Sequence, residues 1–474
     1  MPSTTNSLFL NQLGSIVGAD HLFTDADKLQ PSLTEPRGLY QGSAMALVRP
    51  ATAGEVVNIV KTCAAAGVPM VPQSGNTSLC GGATAMSSQT IVLNLSRLTQ
   101  IRQLDSTANS LVAEAGCIIA NIQQAASEAG RLFPLSFAAD GSAMIGGAIG
   151  TNAGGTNVLR YGNTRELVSG LEVVLANGDL LDDLRGLRKD NTGYDLTNLF
   201  IGAEGTLGIV TAAKLKLFAA PAQCHTAWLA IDQISAGIDL LSDLQQLSDG
   251  AVSGCELMSS TSLQFALRHQ PGARAPMTTQ APWYLLLELT ASDHFPLASL
   301  LEKRLSQALD DGQVRDVVIA QSLQQGEDFW AIREAISAAQ KHEGGSIKHD
   351  IALPIQRLAK FVDATLPLLG QKLTDIRPCI FGHLGDGNLH FNLSQPVEME
   401  TSEFLAQWSE FNRLVHDQVD KFGGSISAEH GIGQLKREEL VRYKSPVALQ
   451  LMRQIKRALD PDDLMNPGKL LPDK

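Results

Sequence analysis

The six cysteines of this 474-residue chain, at positions 63, 80, 117, 224, 255 and 379, include no Cys-x-x-Cys pair. Their scatter excludes a disulfide-stapled secreted scaffold and fits reduced thiols in a cytosolic protein, each a small buried hydrophobe. Blocks of basic residues are also missing. With a net charge of −12 and a pI near 5.3, the chain has no footprint for nucleic acid. The opening Met-Pro-Ser-Thr-Thr-Asn-Ser-Leu-Phe-Leu has neither a basic leader nor an Arg-rich amphipathic pattern, so no signal or transit peptide is expected and the location expected is cytoplasmic. Residues 141–159 contain no charge, but Gly, Asn and Thr fill them, which excludes a membrane span and marks a backbone-exposing loop. Neither G-x-G-x-x-G nor G-x-x-x-x-G-K-[ST] occurs, which disfavours a Rossmann dinucleotide site and a P-loop NTPase.

What is present is a large apolar fraction: 44% hydrophobic against 18% charged residues supports two or three domains with cores of their own. The first 44 residues read as an N-terminal arm with a helix around 8–17. Alternating strand and helix signals follow over 45–220. The capping-box pattern Thr52-Ala-Gly-Glu55 opens an amphipathic helix bearing Val56, Val57, Ile59, Val60 and Cys63, and Asn177-Gly178 marks a hairpin. Over 221–427 the strand candidates (226–231, 251–258, 283–289, 314–320) alternate with helices. This predicts an α+β domain whose antiparallel sheet carries helices on one face. A closing segment, 428–474, reads as mostly helical up to Asp460-Pro461.

Two glycine-rich segments lie in the 45–220 region. The first is Pro72-Gln73-Ser74-Gly75-Asn76-Thr77-Ser78, continuing to Gly81 and Gly82. The second runs from Pro134 through Gly141, Ser142, Gly146, Gly147, Thr151, Asn152 and Gly154 to Gly155. Bare backbone N–H groups in such turns make an anion-binding concavity, and two of them in one α/β domain suit a long phosphorylated ligand; ordinary glycine-rich turns are the alternative.

The densest chemistry is in Phe381-Gly-His383-Leu-Gly-Asp-Gly-Asn-Leu-His390-Phe-Asn392. A Gly-Asp-Gly-Asn turn between His383 and His390 lets the chain fold back and aim both imidazoles at one point. Neutral imidazole is the commonest zinc ligand, and a catalytic site needs three protein ligands and an open position. Glu429, in Ser425-Ile-Ser-Ala-Glu-His-Gly-Ile-Gly433, is the best third ligand, and His430 is a base beside it. A structural histidine pair in a hairpin is the alternative.

Both glycine-rich segments, followed by Gly205-Thr-Leu-Gly208-Ile209-Val-Thr, resemble the flavin-binding domain of the vanillyl-alcohol oxidase family, the p-cresol methylhydroxylase type. The histidine stretch, Ser-Ala-Glu-His-Gly-Ile-Gly and the terminal Asn466-Pro-Gly-Lys469 resemble that family's branch of D-2-hydroxyacid dehydrogenases. The resemblance spans about residues 30–470. It implies a two-part flavin-binding domain, an α+β substrate domain, and a C-terminal helical segment returning to the flavin through Asn466. FAD would lie against both glycine-rich segments, with Glu204, Gly208 and Ile209 contributing, and its ring at the junction of the domains. Relatives often attach FAD through a histidine in the first loop; this loop has none, so noncovalent FAD is expected, with Cys80 the one nearby residue that could contradict it.

The resemblance also implies Zn2+ on His383, His390 and Glu429, His430 as general base, and hydride transfer from the substrate carbon to the flavin. Arg333, Ser337 and Lys348 match the anchor for a distal carboxylate in hydroxyglutarate-type members, with Ser337 standing where Thr is usual. Asn392 would add a hydrogen bond to substrate. For Arg333 the alternative is a surface ion pair with Glu334 or Asp328, and for Asn392 a solvated amide. The expected reaction is oxidation of D-2-hydroxyglutarate to 2-oxoglutarate with electrons passed to a flavoprotein or quinone. D-lactate or glycolate as substrate is the nearer rival, and a zinc hydrolase or a non-enzymatic flavin-binding subunit the remoter ones. Manganese or cobalt would satisfy the same ligand types. A homodimer is the default assembly.

Overall fold

A computed structural model describes residues 4–472, folded as two compact units. The first comprises residues up to Gly155, Gly162–Ala220 and Glu429 onward; the second comprises Thr156–Tyr161 and Pro221–Ala428.

Besides the two-stranded pair of Arg131–Leu132 with Phe218–Ala219, the first unit contains two larger sheets. In the smaller, Ala46–Val48 and Met70–Gln73 flank Ile91–Asn94, both parallel to it, and Leu22–Phe23 closes one edge antiparallel. The helix Ala53–Ala66 makes the crossover, as the parallel pairing requires. Its N-cap, Thr52, accepts the Glu55 N–H, and Gly67 ends it in the left-handed region at φ 64°. Val56, Ile59, Val60 and Cys63 are buried along one stripe. The expected N-terminal arm is instead part of this core. The helix Thr4–Val17 places Phe9, Leu13 and Val17 in the same apolar cluster as Val56 and Ile59. Its apolar residues bury best against a helix that already exposes a stripe.

The second sheet is antiparallel, in the order 101–105, 110–114, 209–216, 168–174, 180–182, with Asn177-Gly178 turning the last hairpin. On it Arg102 forks onto both Glu172 oxygens at 3.0 Å and reaches Glu114 at 3.0 Å. The chain end returns to the first sheet: Met70 N–H donates to Leu464 O at 2.8 Å and Asn466 N–H to Met70 O at 2.8 Å.

The second unit is built on an eight-stranded antiparallel sheet in the order 316–319, 223–231, 283–291, 252–259, 377–383, 388–394, 346–347, with 350–352 also paired to 388–394. Contrary to the one-faced sheet expected, helices cover both faces. Trp228, Ala230, Met258, Leu286 and Phe381 pack under Leu323–Ala339 and Ser260–His269. On the other face Gly237 of the helix Ile234–Leu247 lies so near Leu285 and Ile231 that a β-carbon would meet Leu285 at 2.9 Å. Two covered faces explain why Val252–Ser259 is buried at every position. The short helix Val158–Tyr161, although it interrupts the first unit's sequence, packs on this strand. Among the described residues no helix is long and apolar enough to cross a membrane.

Candidate active site

The strands Arg377–His383 and Asn388–Ser394 form the expected hairpin, with Phe381 opposite His390 and His383 opposite Asn388. Because alternate residues share a face, this register puts His383, Phe381, His390 and Asn392 on one side of the sheet. The turn depends on Gly387, at φ +79°, where a β-carbon would lie 2.1 Å from Leu353 O. The two imidazoles sit edge to face at 5.9 Å between centroids, and His390 lies 4.9 Å from the Phe381 ring.

His383 is buried, and its Nδ1 donates to Glu256 Oε1 at 2.6 Å. With Nδ1 turned to the carboxylate, Nε2 is the nitrogen that the neutral imidazole would present to a metal, the arrangement typical of a metal-binding histidine. Glu256, on the adjoining strand opposite His383, is fully buried. Its second oxygen, Oε2, accepts from Arg333 Nε at 2.7 Å and pairs with Arg333 Nη2 at 2.6 Å. Burial works to raise the Glu256 pKa, but the Arg333 and His383 charges and hydrogen bonds outweigh it and hold the carboxyl down at about 2. Arg333 also lies 4.9 Å above the Phe381 ring. The surface pair with Glu334 or Asp328 considered for Arg333 is therefore replaced by a buried one with Glu256, a residue 77 positions away that sequence reasoning missed.

The other histidine leans on Asp350, whose Oδ1 is 4.0 Å from His390 Nδ1 and accepts from Asn388 Nδ2 at 3.0 Å. Asp350 Oδ2 takes the Ala428 N–H at 3.2 Å, tying the last residue of the second unit beside it. Glu429 and His430 are the next two residues of the chain, both half-buried. They open a loop that is pinned within the first unit, where the Ile432 and Gly433 N–H groups donate to the two oxygens of Glu204 at 2.8 Å each and Gln434 N–H donates to Cys80 O at 2.9 Å. Glu204, predicted at the cofactor, thus spends its carboxylate on this loop; burial pushes its pKa up, against those two N–H bonds.

Of the remaining predicted substrate residues, Ser337 is exposed one turn beyond buried Arg333 on the helix Leu323–Ala339, and Lys348 is half-buried between two short strands. Asn392 is not a solvated amide: it is buried, donating to Gln340 Oε1 at 3.0 Å and accepting the His349 N–H at 3.2 Å.

In the first unit the two glycine-rich segments meet. A β-carbon at Gly75 would lie 2.4 Å from Ser142 O, and one at Gly146 would lie 3.1 Å from Ser74 Oγ, so only glycine permits this approach. Several predicted cofactor side chains shape the cradle through their own bonds to backbone. Gln73 donates to Ser32 O and Ala83 O, Asn76 to Pro31 O and Thr34 O, and Asn152 accepts the Arg165 N–H. Asn466 donates to Gly82 O and Glu204 O, yet its Oδ1 is buried without a partner. An orphaned acceptor among bare glycines fits a ligand that brings a donor, as a flavin does. For the metal, the carboxylate-backed histidines supply the fit.

Comparison with known proteins bears on this arrangement. Residues 44–183 match the family model described as FAD binding domain, and residues 220–470 the one described as FAD linked oxidases, C-terminal domain. The chain is 37% identical over 470 residues to the mitochondrial D-2-hydroxyglutarate dehydrogenase of Arabidopsis thaliana, covering 99% of this chain and 82% of that one. It is 35% identical over 473 residues to the D-2-hydroxyglutarate dehydrogenase of Stutzerimonas stutzeri (strain A1501), covering 98% and 99%. Among solved structures, p-cresol methylhydroxylase with substrate bound superposes with a TM-score of 0.75 at 16% identity, covering 99% of this chain and 98% of that one. Alkyldihydroxyacetonephosphate synthase superposes at 0.74 and 16%, covering 97% and 84%. The fold is therefore of the p-cresol methylhydroxylase type, and the chain belongs to the family of FAD-linked oxidases that includes the D-2-hydroxyglutarate dehydrogenases.

Proposed function

We propose that this protein is an FAD- and zinc-dependent D-2-hydroxyglutarate dehydrogenase that forms 2-oxoglutarate and hands its electrons to a flavoprotein or quinone. The observation that carries the reading lies within the second unit: a carboxylate-backed histidine pair and a buried arginine border the same aromatic ring, with His390 and Arg333 each 4.9 Å from Phe381. A 2-hydroxy dicarboxylate has one end for each.

His383, His390 and Glu429 offer one donor atom apiece and would hold the cation, which when bound makes the substrate hydroxyl acidic near neutrality. FAD, when bound, supplies the oxidising power. His430 takes the hydroxyl proton on its imidazole, as a general base placed beside a ligand can. Arg333 presents its remaining N–H groups to the distal carboxylate, a planar match that lysine cannot reproduce, aided by the Ser337 hydroxyl and the Lys348 ammonium. Asn392, held by Gln340 and His349, has a second amide hydrogen for the substrate.

One observation favours a second reading. Arg333 already spends Nε and Nη2 on Glu256, so a purely structural arginine would leave a monocarboxylate enzyme acting on D-lactate or glycolate. Anaerobic addition of D-2-hydroxyglutarate, D-malate, D-lactate and glycolate to the purified holoenzyme separates the two. Bleaching of the yellow colour by the dicarboxylates at least tenfold faster supports the proposal; equal or faster bleaching by the monocarboxylates refutes it.

A further inference from the structure

We propose that Glu256 is a positioning residue that joins metal binding to carboxylate recognition, holding His383 toward the cation through one oxygen and Arg333 toward the substrate through the other. This rests on the metal and substrate roles proposed above for His383 and Arg333. Glu256 acts through these two side chains, its partners being His383 and Arg333.

The geometry is specific. Oε1 lies 2.6 Å from His383 Nδ1, and Oε2 lies 2.7 Å and 2.6 Å from Arg333 Nε and Nη2, on a fully buried side chain in the middle of a strand buried along its length. The strand register fixes these partners, since Glu256 stands directly opposite His383 and Met258 opposite Phe381, the ring over which Arg333 lies. A carboxylate behind a metal-binding imidazole sets the tautomer and raises the basicity of the other nitrogen; losing such a partner typically costs about 10–100-fold in metal affinity. Because the same carboxylate also neutralises Arg333, the two ends of the site share one charge. Removing the negative charge leaves the cationic arginine to oppose a dication. Removing the arginine leaves the whole carboxylate to His383. The two substitutions should therefore move zinc affinity in opposite directions, which a residue that merely supports packing would not do.

The test is Zn2+ affinity of the holoenzyme, measured by competition with a chromophoric chelator, with FAD content and melting temperature of the zinc-free protein followed alongside. Glu256→Gln should bind Zn2+ at least tenfold more weakly and Arg333→Met at least threefold more tightly, both with full FAD. Breaking a buried ion pair from one side can unfold a protein. Should either variant fail to fold, Glu256→Gln/Arg333→Met, which removes both charges, replaces it, and its zinc affinity should exceed that of Glu256→Gln or, where that variant is lost, fall below wild type. Zinc affinities within threefold of wild type for Glu256→Gln, or losses of the same sign for both single variants, overturn the coupling while leaving the metal site intact. A wild-type protein that binds Zn2+ no better than His383→Ala sinks the metal reading itself, and Glu256 with it.

Discussion

Asn466 donates one amide hydrogen to Glu204 O at 2.7 Å and another to Gly82 O at 3.0 Å, and its own carbonyl oxygen is left buried without a partner. It holds a left-handed backbone at φ 47°, which asparagine and aspartate tolerate far better than branched residues. Asn466→Asp keeps that conformation and the side-chain volume but removes both donors and adds a buried charge. FAD affinity should fall by at least tenfold, the scale of one unsatisfied buried polar group. Flavin fluorescence titration of the apoprotein reads this directly, and unchanged affinity would take Asn466 out of the cofactor site.

The first glycine-rich loop contains no histidine, and Cys80, the one thiol within it, is buried with its Sγ 3.5 Å from Gly431 O. FAD should therefore be held without a covalent bond. Acid precipitation should leave a colourless pellet and a yellow supernatant; colour retained in the pellet would show attachment.

Legibility followed the range of the interactions. The Thr52–Glu55 cap, the Asn177-Gly178 hairpin and the fold-back between His383 and His390 are local, set by turn chemistry and side-chain period, and each could be read from a dozen residues. What sequence reasoning missed is long-range: Glu256 behind His383 and Arg333, and Asp350 beside Asn388 and Ala428. A single charged residue within the apolar run Ala251–Met258 was the available signal for Glu256, since a carboxylate between two covered faces needs buried partners. The second covered face was illegible for a related reason. Near-continuous apolar strands separate one-faced from two-faced sheets only when every position is counted, and the strand at Val252–Ser259 is interrupted in sequence by Ser253, Gly254 and Glu256. The N-terminal helix was legible as a helix but not as part of the core, because its partner, the helix Ala53–Ala66, lies far along the chain.

Ser337 lies exposed one helical turn beyond buried Arg333, so the two have different parts in selectivity. Arg333→Met should raise KM for D-2-hydroxyglutarate and D-malate by roughly 10–100-fold, the scale of a lost charge-assisted hydrogen bond, with less than threefold change for D-lactate. Ser337→Thr keeps the hydroxyl and should change KM for the dicarboxylates less than threefold. If Arg333→Met affects lactate and hydroxyglutarate alike, the arginine is structural and the substrate is a monocarboxylate.

Dialysis against a strong chelator should abolish substrate-driven flavin bleaching without releasing FAD, because the proposed ligands and the glycine-rich cradle are separate residues. Restoring Zn2+ should recover the activity; Mn2+ and Co2+ should recover part of it, since imidazole and carboxylate accept all three. His390→Ala should mimic the chelated enzyme at any zinc concentration that saturates wild type. Full activity after chelation, with metal content confirmed near zero, would rule out a catalytic cation.

Lys469, in the terminal Asn-Pro-Gly-Lys, is buried, and its pKa is pushed down to about 8 by burial first and by Arg437 next, with Glu204 opposing. Its folded value is lower than the 10.5 of the free side chain, so between pH 8 and 10.5 the unfolded chain carries a proton that the folded one lacks, and stability gained from this group rises with pH across that window. Below about pH 8 both states are protonated and the fold bears the full cost of the buried charge. Lys469→Met, which cannot titrate, isolates the effect. Relative to the variant, wild type should gain up to about 3 kcal/mol between pH 8 and 10.5, at about 1.4 kcal/mol per pH unit. Urea midpoints of both proteins at pH 7, 8, 9 and 10 give the difference directly. A gap that stays flat across that range would mean that Lys469 keeps an ordinary pKa, with its ammonium reaching water or a permanent anionic partner.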